Sequence, residues 1–417
     1  MTSTEARPYD DVDLSSRAFW STTAADRERT FALLREQRPV SWHPPVQDAL
    51  LHDPDDPGYW AAVRHADIVE ISRRNDVFAS GHGVLFENIP QNMLEASQSF
   101  LSMDAPRHTK LRRLVGSAFT PRQVARIEER IRADAAEIVR ELAEAGSGAD
   151  FVEHCARQLP LRTLSDMLGV SEEQREQTCE AANDLISWAD PAHLGDRAPF
   201  DMILTAQAFL HQVAFGLAED RRARPADDLM TSLVRAEIDG ERLTDEEIAA
   251  FFVLISVAGN DTTRQTTSHA LKALTDFPEQ RAWLAADYDG RVGPAVEEFL
   301  RWSSPVMTFR RTATAEFELS GRRIRPGDKV VMFYPSGNWD TEVFADPNSF
   351  DLSRDPNPHI AFGGGGVHFC LGSQLARTQL RALFRELLRQ LPDITAGEPE
   401  YLAGNFVHAI RAMPCHF

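Results

Sequence analysis

The chain has 417 residues, with 44 Lys or Arg against 63 Asp or Glu and a net charge of −19. That excess of carboxylates repels phosphate backbones and anionic lipid, so general nucleic-acid binding and docking on an anionic membrane are not expected. Hydrophobic residues are 43% and charged residues 26%, the balance of a folded protein rather than a disordered or fibrous one, and no apolar run approaches the about 18 residues of a membrane span.

The opening MTSTEARPYDDVDLSSRAFW has no basic leader and no apolar core. No signal peptide is expected there, and residues 1–20 read as a loosely ordered segment. Tyr59 to Val63 looks like a strand and Asp67 to Arg74 like a short helix. Residues 80–99 place Gly81, Gly83 and Pro90 among Phe86, Ile89, Met93 and Leu94. This is a long loop with apolar tips, a type often functional in compact domains.

From Arg107 to about Ala145 the pattern is helical, and Thr120-Pro121 opens a second helix with Pro at its first position. Thr244-Asp245-Glu246-Glu247 is a capping box ahead of an apolar pattern that Pro278 stops. A further helix covers Gly293 to Trp302. Phe317 and Leu319 then alternate with Glu316 and Glu318, Ser320-Gly321 and Pro326-Gly327 make turns, and Lys329 to Tyr334 is rich in strand formers. A last helix begins near Cys370 and ends at about Leu391, before Pro392. No linker or repeat divides the chain. The expected fold is one domain, mainly α with a small β component.

The helix beginning at Thr244 would be about 50 Å long, with largely apolar sides. Its middle reads Ala258-Gly259-Asn260-Asp261-Thr262-Thr263. Gly costs about 1 kcal/mol in a helix interior, and Asn, Asp and Thr are poor helix formers. Two readings stand. One is a kink with satisfied polar groups. The other is a local widening, in which Gly259 leaves room for a small ligand and Asp261 and Thr262 deliver protons to it.

The four cysteines, Cys155, Cys179, Cys370 and Cys415, show no paired spacing, which disfavours a disulfide framework and a cysteine-ligated zinc or iron–sulfur site. The chain reads as cytoplasmic and reduced. Cys370 is distinctive. It follows Phe362 and the run Gly363 to Gly366, precedes Gly372, and stands where the last helix starts. Glycines let a backbone approach a flat surface closely. A helix N-terminus favours thiolate. A thiolate beside a flat clearance suits haem iron.

The stretch from Phe362 to Gly372 resembles the haem-binding signature of the cytochrome P450 family. His368, Gly366 and Gly372 hold the positions of the signature's basic residue and two of its glycines. Phe362 lies eight residues before Cys370 instead of seven, so the loop is one residue longer. Ala258, Gly259, Asp261 and Thr262 match the family's oxygen-binding motif, and Glu298-Phe299-Leu300-Arg301 matches its Glu-x-x-Arg pair. His108 and Arg112 resemble the pair that holds one haem propionate, and Arg311 falls where a strand Arg holds the other. The similarity runs from about Tyr59 to the C-terminus.

This resemblance implies a P450-like fold with haem b between the long central helix and the Cys370 loop, and one haem-thiolate monooxygenase domain over residues 1–417. Cys370 would be the iron ligand. His108, Arg112, Arg311 and His368 would bind propionates, with Phe362, Gly366 and Gly372 shaping the cofactor site. Ala258 and Gly259 would flank O2, Thr262 would hydrogen-bond at the oxygen site, and Asp261 would relay protons. Glu298 and Arg301 would be a structural pair joined by Arg354. The pocket would be apolar, built from Val84, Leu85, Phe86, Ile89, Leu94, Val257, Val306, Met307, Phe309 and Phe406.

The implied reaction is hydroxylation of a hydrophobic small molecule: a branched fatty acid, a terpenoid or a sterol-like compound. Electrons would come from a ferredoxin and its reductase, docking near Arg107, Lys110, Arg113, Arg122 and Arg377. A monomer is expected. The rival readings are tailoring of a natural product, a peroxygenase, and a haem-binding sensor without catalysis.

Overall fold

The computed structural model describes residues 7–47, 49–97, 99–116, 119–238 and 240–417. In chain order the elements that frame the site are β1 (Val40–His43), β2 (Tyr59–Ala62), α1 (His65–Arg73), β3 (Phe78–Ala79), α2 (Arg107–Gly116), α3 (Gln158–Leu168), α4 (Glu172–Asp184), α5 (Asp245–Asp276), α6 (Tyr288–Ser303), β4 (Thr308–Ala313), β5 (Lys329–Phe333) and α7 (Ser373–Gln390). The five strands form one sheet in the order β1-β2-β5-β4-β3, with only β2 and β5 parallel. Val330, Val331, Met332 and Phe333 of β5 are all fully buried, as a central strand covered on both faces requires.

Helices pack around α5. Its N-terminus is closed as the sequence predicts: Thr244 Oγ1 accepts from Glu247 N at 3.2 Å, and Thr244 N donates to Glu247 Oε2 at 3.0 Å. Such a cap is worth about 1 kcal/mol. Glu247 also pairs with Arg107, which ties α2 to the start of α5. The helix touches α3, α4, α6 and the helix Pro199–Ala223.

Several expectations need correction. Residues 7–20 are not loosely ordered, while residues 1–6 lie outside the described residues. Leu14, Phe19 and Trp20 are buried, and Trp20 stacks on Phe333 with ring centroids 6.1 Å apart. Arg7 lies over Trp42 and Trp60 at 4.9 and 5.2 Å and pairs with Asp328 at 2.8 Å. The loop at 80–99 contains a helix, Gln91–Ser97. The helix expected at Gly293 starts earlier, at Tyr288, where Asp287 caps it. The middle of α5 neither breaks nor widens: the helix is continuous across Ala258 to Thr263.

Between α6 and residues 338–357 lies a buried ionic network. Glu298 and Arg301 are wholly buried and bond twice, at 2.8 and 2.7 Å. Arg354 adds a contact to Glu298 at 3.2 Å, as expected from the sequence. The backbone N–H of Asp351 and the amide of Asn357 complete the carboxylate's partners, both at 3.0 Å. Arg301 also donates to the carbonyls of Asn338, Pro347 and Ser349. A buried charge pair is tolerable only when its remaining donors and acceptors are satisfied this way.

Candidate active site

The Cys370 loop closes on itself: the Cys370 N–H donates to the Phe362 carbonyl at 3.0 Å. The glycine run does not primarily clear a flat surface. Gly366 has φ +76°, and a Cβ there would lie 2.1 Å from the Ser72 carbonyl oxygen. One at Gly364 would lie 2.9 Å from the Ile68 carbonyl oxygen. The run therefore wedges against α1. Gly372 differs, since a Cβ there meets nothing within 4 Å.

Cys370 precedes α7 rather than starting it, and Gly372 occupies the N-cap. Burial pushes the thiol up. The N–H groups of Gly372 and Ser373 and the cations Arg112 and Arg377 pull against that without overcoming it. The helix end therefore does not by itself lower this thiol, and a bound metal cation would favour its thiolate. Cys370 nonetheless has an accessible surface. Ala258 is likewise exposed, while Ile255, Ser256, Asn260 and Asp261 on either side of it are buried.

Four basic side chains converge nearby. The rings of His108 and His368 are 4.1 Å apart. Burial first, then Arg112, holds His108 down at about 4. Burial, Arg311, His108 and Arg112 depress His368 further. His368 bonds Ser80 Oγ at 3.1 Å. Arg112 donates to the Phe369 carbonyl, and Arg311 to the Arg310 carbonyl at 2.7 Å. Among the described residues no carboxylate bonds any of the four. Asp104, the acid in their field, is held by the N–H groups of Ser80 and Gly81 at 2.9 and 2.8 Å. His108 is 1% exposed, yet neither ring nitrogen has a partner.

On α5, the Thr262 hydroxyl donates to the Ala258 carbonyl at 2.9 Å, which leaves its lone pairs as acceptors. Asp261 is buried and paired with Arg264, whose other arm donates to Asn183 at 3.2 Å. The glycine of this motif serves packing: a Cβ on Gly259 would lie 2.8 Å from Leu164 Cδ1. Gly259 therefore lets α3 approach α5, rather than clearing a space for a ligand.

Comparison with known proteins decides the family. Residues 63–392 match the family model described as Cytochrome P450. The chain belongs to the cytochrome P450 family. The methyl-branched lipid omega-hydroxylase of Mycobacterium tuberculosis is 42% identical to this P450 over 410 residues, 98% of this chain and 95% of that protein. A steroid C26-monooxygenase of Mycolicibacterium smegmatis is 38% identical over 362 residues, 85% and 83% of the two chains. A Mycobacterium marinum cytochrome P450 solved in complex with pseudoionone superposes with a TM-score of 0.97 at 65% identity, covering 99% of this chain and 100% of that one.

As a cytochrome P450 the protein is a monooxygenase that carries haem b, uses O2 and takes electrons from a redox partner. The residues present fit that cofactor. The unpartnered His108 and the basic cluster without a bonded carboxylate suit haem propionates, and the accessible Cys370 suits an iron ligand. No helix among the described residues is long and apolar enough to cross a membrane.

Two of the expected pocket residues belong instead to a structural core. Phe86 packs edge-on to Tyr59 at 4.7 Å, and Met307 is buried in the same cluster with Trp20 and Phe333. Val84 is buried, and its carbonyl accepts from Arg310 N at 2.8 Å. Leu85, Ile89, Leu94, Val257, Val306, Phe309 and Phe406 are half-buried, and Phe309 meets Phe406 at 5.5 Å.

Of the five cations expected to dock a partner, Arg107 pairs with Glu247, Lys110 with Glu241, and Arg377 with Glu297 at 2.7 Å. Sequence reasoning missed Ser80, the partner of His368, and Arg264, the partner of Asp261. The second was visible in the i, i+3 spacing of opposite charges on one helix.

Proposed function

We propose that this cytochrome P450 hydroxylates a methyl-branched lipid, a terpenoid or a sterol-like molecule, with the whole chain acting as one unit in the cytoplasm. The supporting observation is the half-buried apolar set Leu85, Ile89, Leu94, Val257, Val306, Phe309 and Phe406, drawn from four separate stretches of the chain, with Phe309 against Phe406. Hydrophobic pockets of this kind bind by burying apolar ligand surface. The names of the relatives, and the branched ketone pseudoionone bound to the Mycobacterium marinum structure, favour the same class.

Thiolate-ligated haem supplies the chemistry: substrate, O2, two electrons and two protons give hydroxylated product and water. In our reading Cys370 ligates the iron, and His108, Arg112, Arg311 and His368 hold the propionates. Arg112 ties the two roles together, because it also binds the carbonyl preceding Cys370. Thr262, with its proton engaged by Ala258, accepts a hydrogen bond from a water in the cleft. Asp261 takes up protons and passes them on through its oxygen Oδ2, which has no protein partner. Arg264 holds that carboxylate in place.

A ferredoxin with its reductase is the proposed electron source, since the described residues form a P450 fold and no flavin or nicotinamide fold. Docking falls near the exposed Arg122 of the expected basic set, as the paired cations contribute little net charge. A monomer is the proposed state. Titration of the haem-loaded protein with branched fatty acids, isoprenoids and sterol ketones is expected to shift the Soret band with at least one class. No shift with any of them would contradict the substrate reading.

A further inference from the structure

We infer that one ordered water sits between α3, α4 and α5, bound by Ser256 and Asn260, and that it keeps the middle of α5 helical. A cavity of about 20 Å³ lies there, lined by Ser165, Thr178, Cys179, Ser256 and Asn260 together with apolar residues of α3. That is room for about one water, which needs two to four polar partners.

The partners are waiting. Ser256 and Asn260 are 5% and 4% exposed. Ser256 Oγ and Asn260 Oδ1 have no hydrogen-bond partner among the described residues. They are four residues apart on one helix, so both face the same chamber. Asn260 is held from its other side, where Nδ2 donates to Cys179 Sγ at 2.9 Å. That bond turns Oδ1 away from the sulfur. A water donating to Oδ1 and accepting from Ser256 Oγ satisfies both atoms, and the hydroxyls of Ser165 and Thr178 stand at the wall for a further bond.

Unpaired buried polar atoms are rare because each loses its hydration without replacement. Here they cluster: Asp261 Oδ2 and Arg264 Nε, on the next turn of α5 beside α4, are also without partners. The water explains a feature the sequence leaves unexplained. Ala258 to Thr263 combines poor helix formers, yet the helix is continuous. Asn260 and Asp261 face the chamber and α4 instead of competing for their own backbone, while Thr262 bonds back to the Ala258 carbonyl.

A crystal structure of the haem-loaded protein at high resolution tests this directly. The expected result is a solvent peak within hydrogen-bond distance of both Ser256 Oγ and Asn260 Oδ1. Clear density with no peak there would overturn the inference. Ser256→Val fills the chamber with methyl groups and gives an independent reading. The peak should vanish and Tm should fall by on the order of 2 °C, because Asn260 Oδ1 is left unsatisfied. An unchanged or raised Tm would mean a dry cavity and would also overturn it. Neither readout depends on substrate identity.

Discussion

Arg264 holds the carboxylate of Asp261 from one turn further along α5, and both side chains are buried. The relay we propose for Asp261 is also half of a buried ion pair, so it has two failure modes, and they separate by variant. Asp261→Asn keeps the shape and removes the titrating group. Turnover should fall by on the order of 10²-fold, with a larger solvent isotope effect. Arg264→Leu leaves a buried carboxylate unpaired, so it should lose stability by about 3 kcal/mol as well as activity. The checks are product formation in H2O and D2O and thermal unfolding of the same preparations. Full activity in Asp261→Asn would remove the relay.

Gly259 is constrained by Leu164 rather than by a ligand. Gly259→Ala should therefore destabilise by about 1–3 kcal/mol through overpacking. The double variant with Leu164→Ala should recover much of that loss, a coupling readable by a double-mutant cycle. Additive losses would mean that the two residues do not meet.

The Glu298–Arg301 pair predicts a stability effect with no change in chemistry. Glu298→Gln removes one buried charge and strands the other, at a cost of about 3–5 kcal/mol. Arg301→Lys should not rescue it, since an ammonium cannot reproduce the two parallel bonds to the carboxylate or reach three carbonyls at once. Chemical denaturation of the haem-loaded variants measures both.

Stability should also depend on pH through a buried histidine pair. His269 and His408 lie 4.1 Å apart, each bonded to a backbone carbonyl at 3.0 Å, with Tyr401 against both and Arg27 in their field. Burial holds His269 down at about 4 from 6.5 and depresses His408 well below its usual value. The folded pKa is the lower one, so the unfolded chain binds more protons in between. Their contribution is complete above about pH 6.5 and is lost as pH falls toward about 4. The slope is up to about 1.4 kcal/mol per pH unit for each histidine. His269→Gln should flatten that slope. An unaltered slope would show that the pair does not titrate on unfolding.

The chemistry-bearing part of the chain was legible because it is local. The Thr244 cap, the Cys370 loop and the Glu298-x-x-Arg301 pair each depend on residues a few positions apart, where spacing fixes geometry. What failed depends on distant packing. Phe86 and Met307 face inward because residues 7–20 fold back to build a core around Phe333. Gly259 stays within a regular helix because Leu164 packs on it. Gly364 and Gly366 are required by the backbone of α1. None of these partners is near in sequence, so composition and period could flag the positions without saying what they meet.

The measurement that bears most directly on the central claim is the reduced, CO-bound difference spectrum of the purified protein and of Cys370→His. Thiolate ligation by Cys370 predicts a strongly red-shifted Soret band in the first and its loss in the second. Freshly prepared, haem-loaded protein without that band, or a variant that keeps it, would contradict Cys370 as the iron ligand and with it the account of oxygen activation given above.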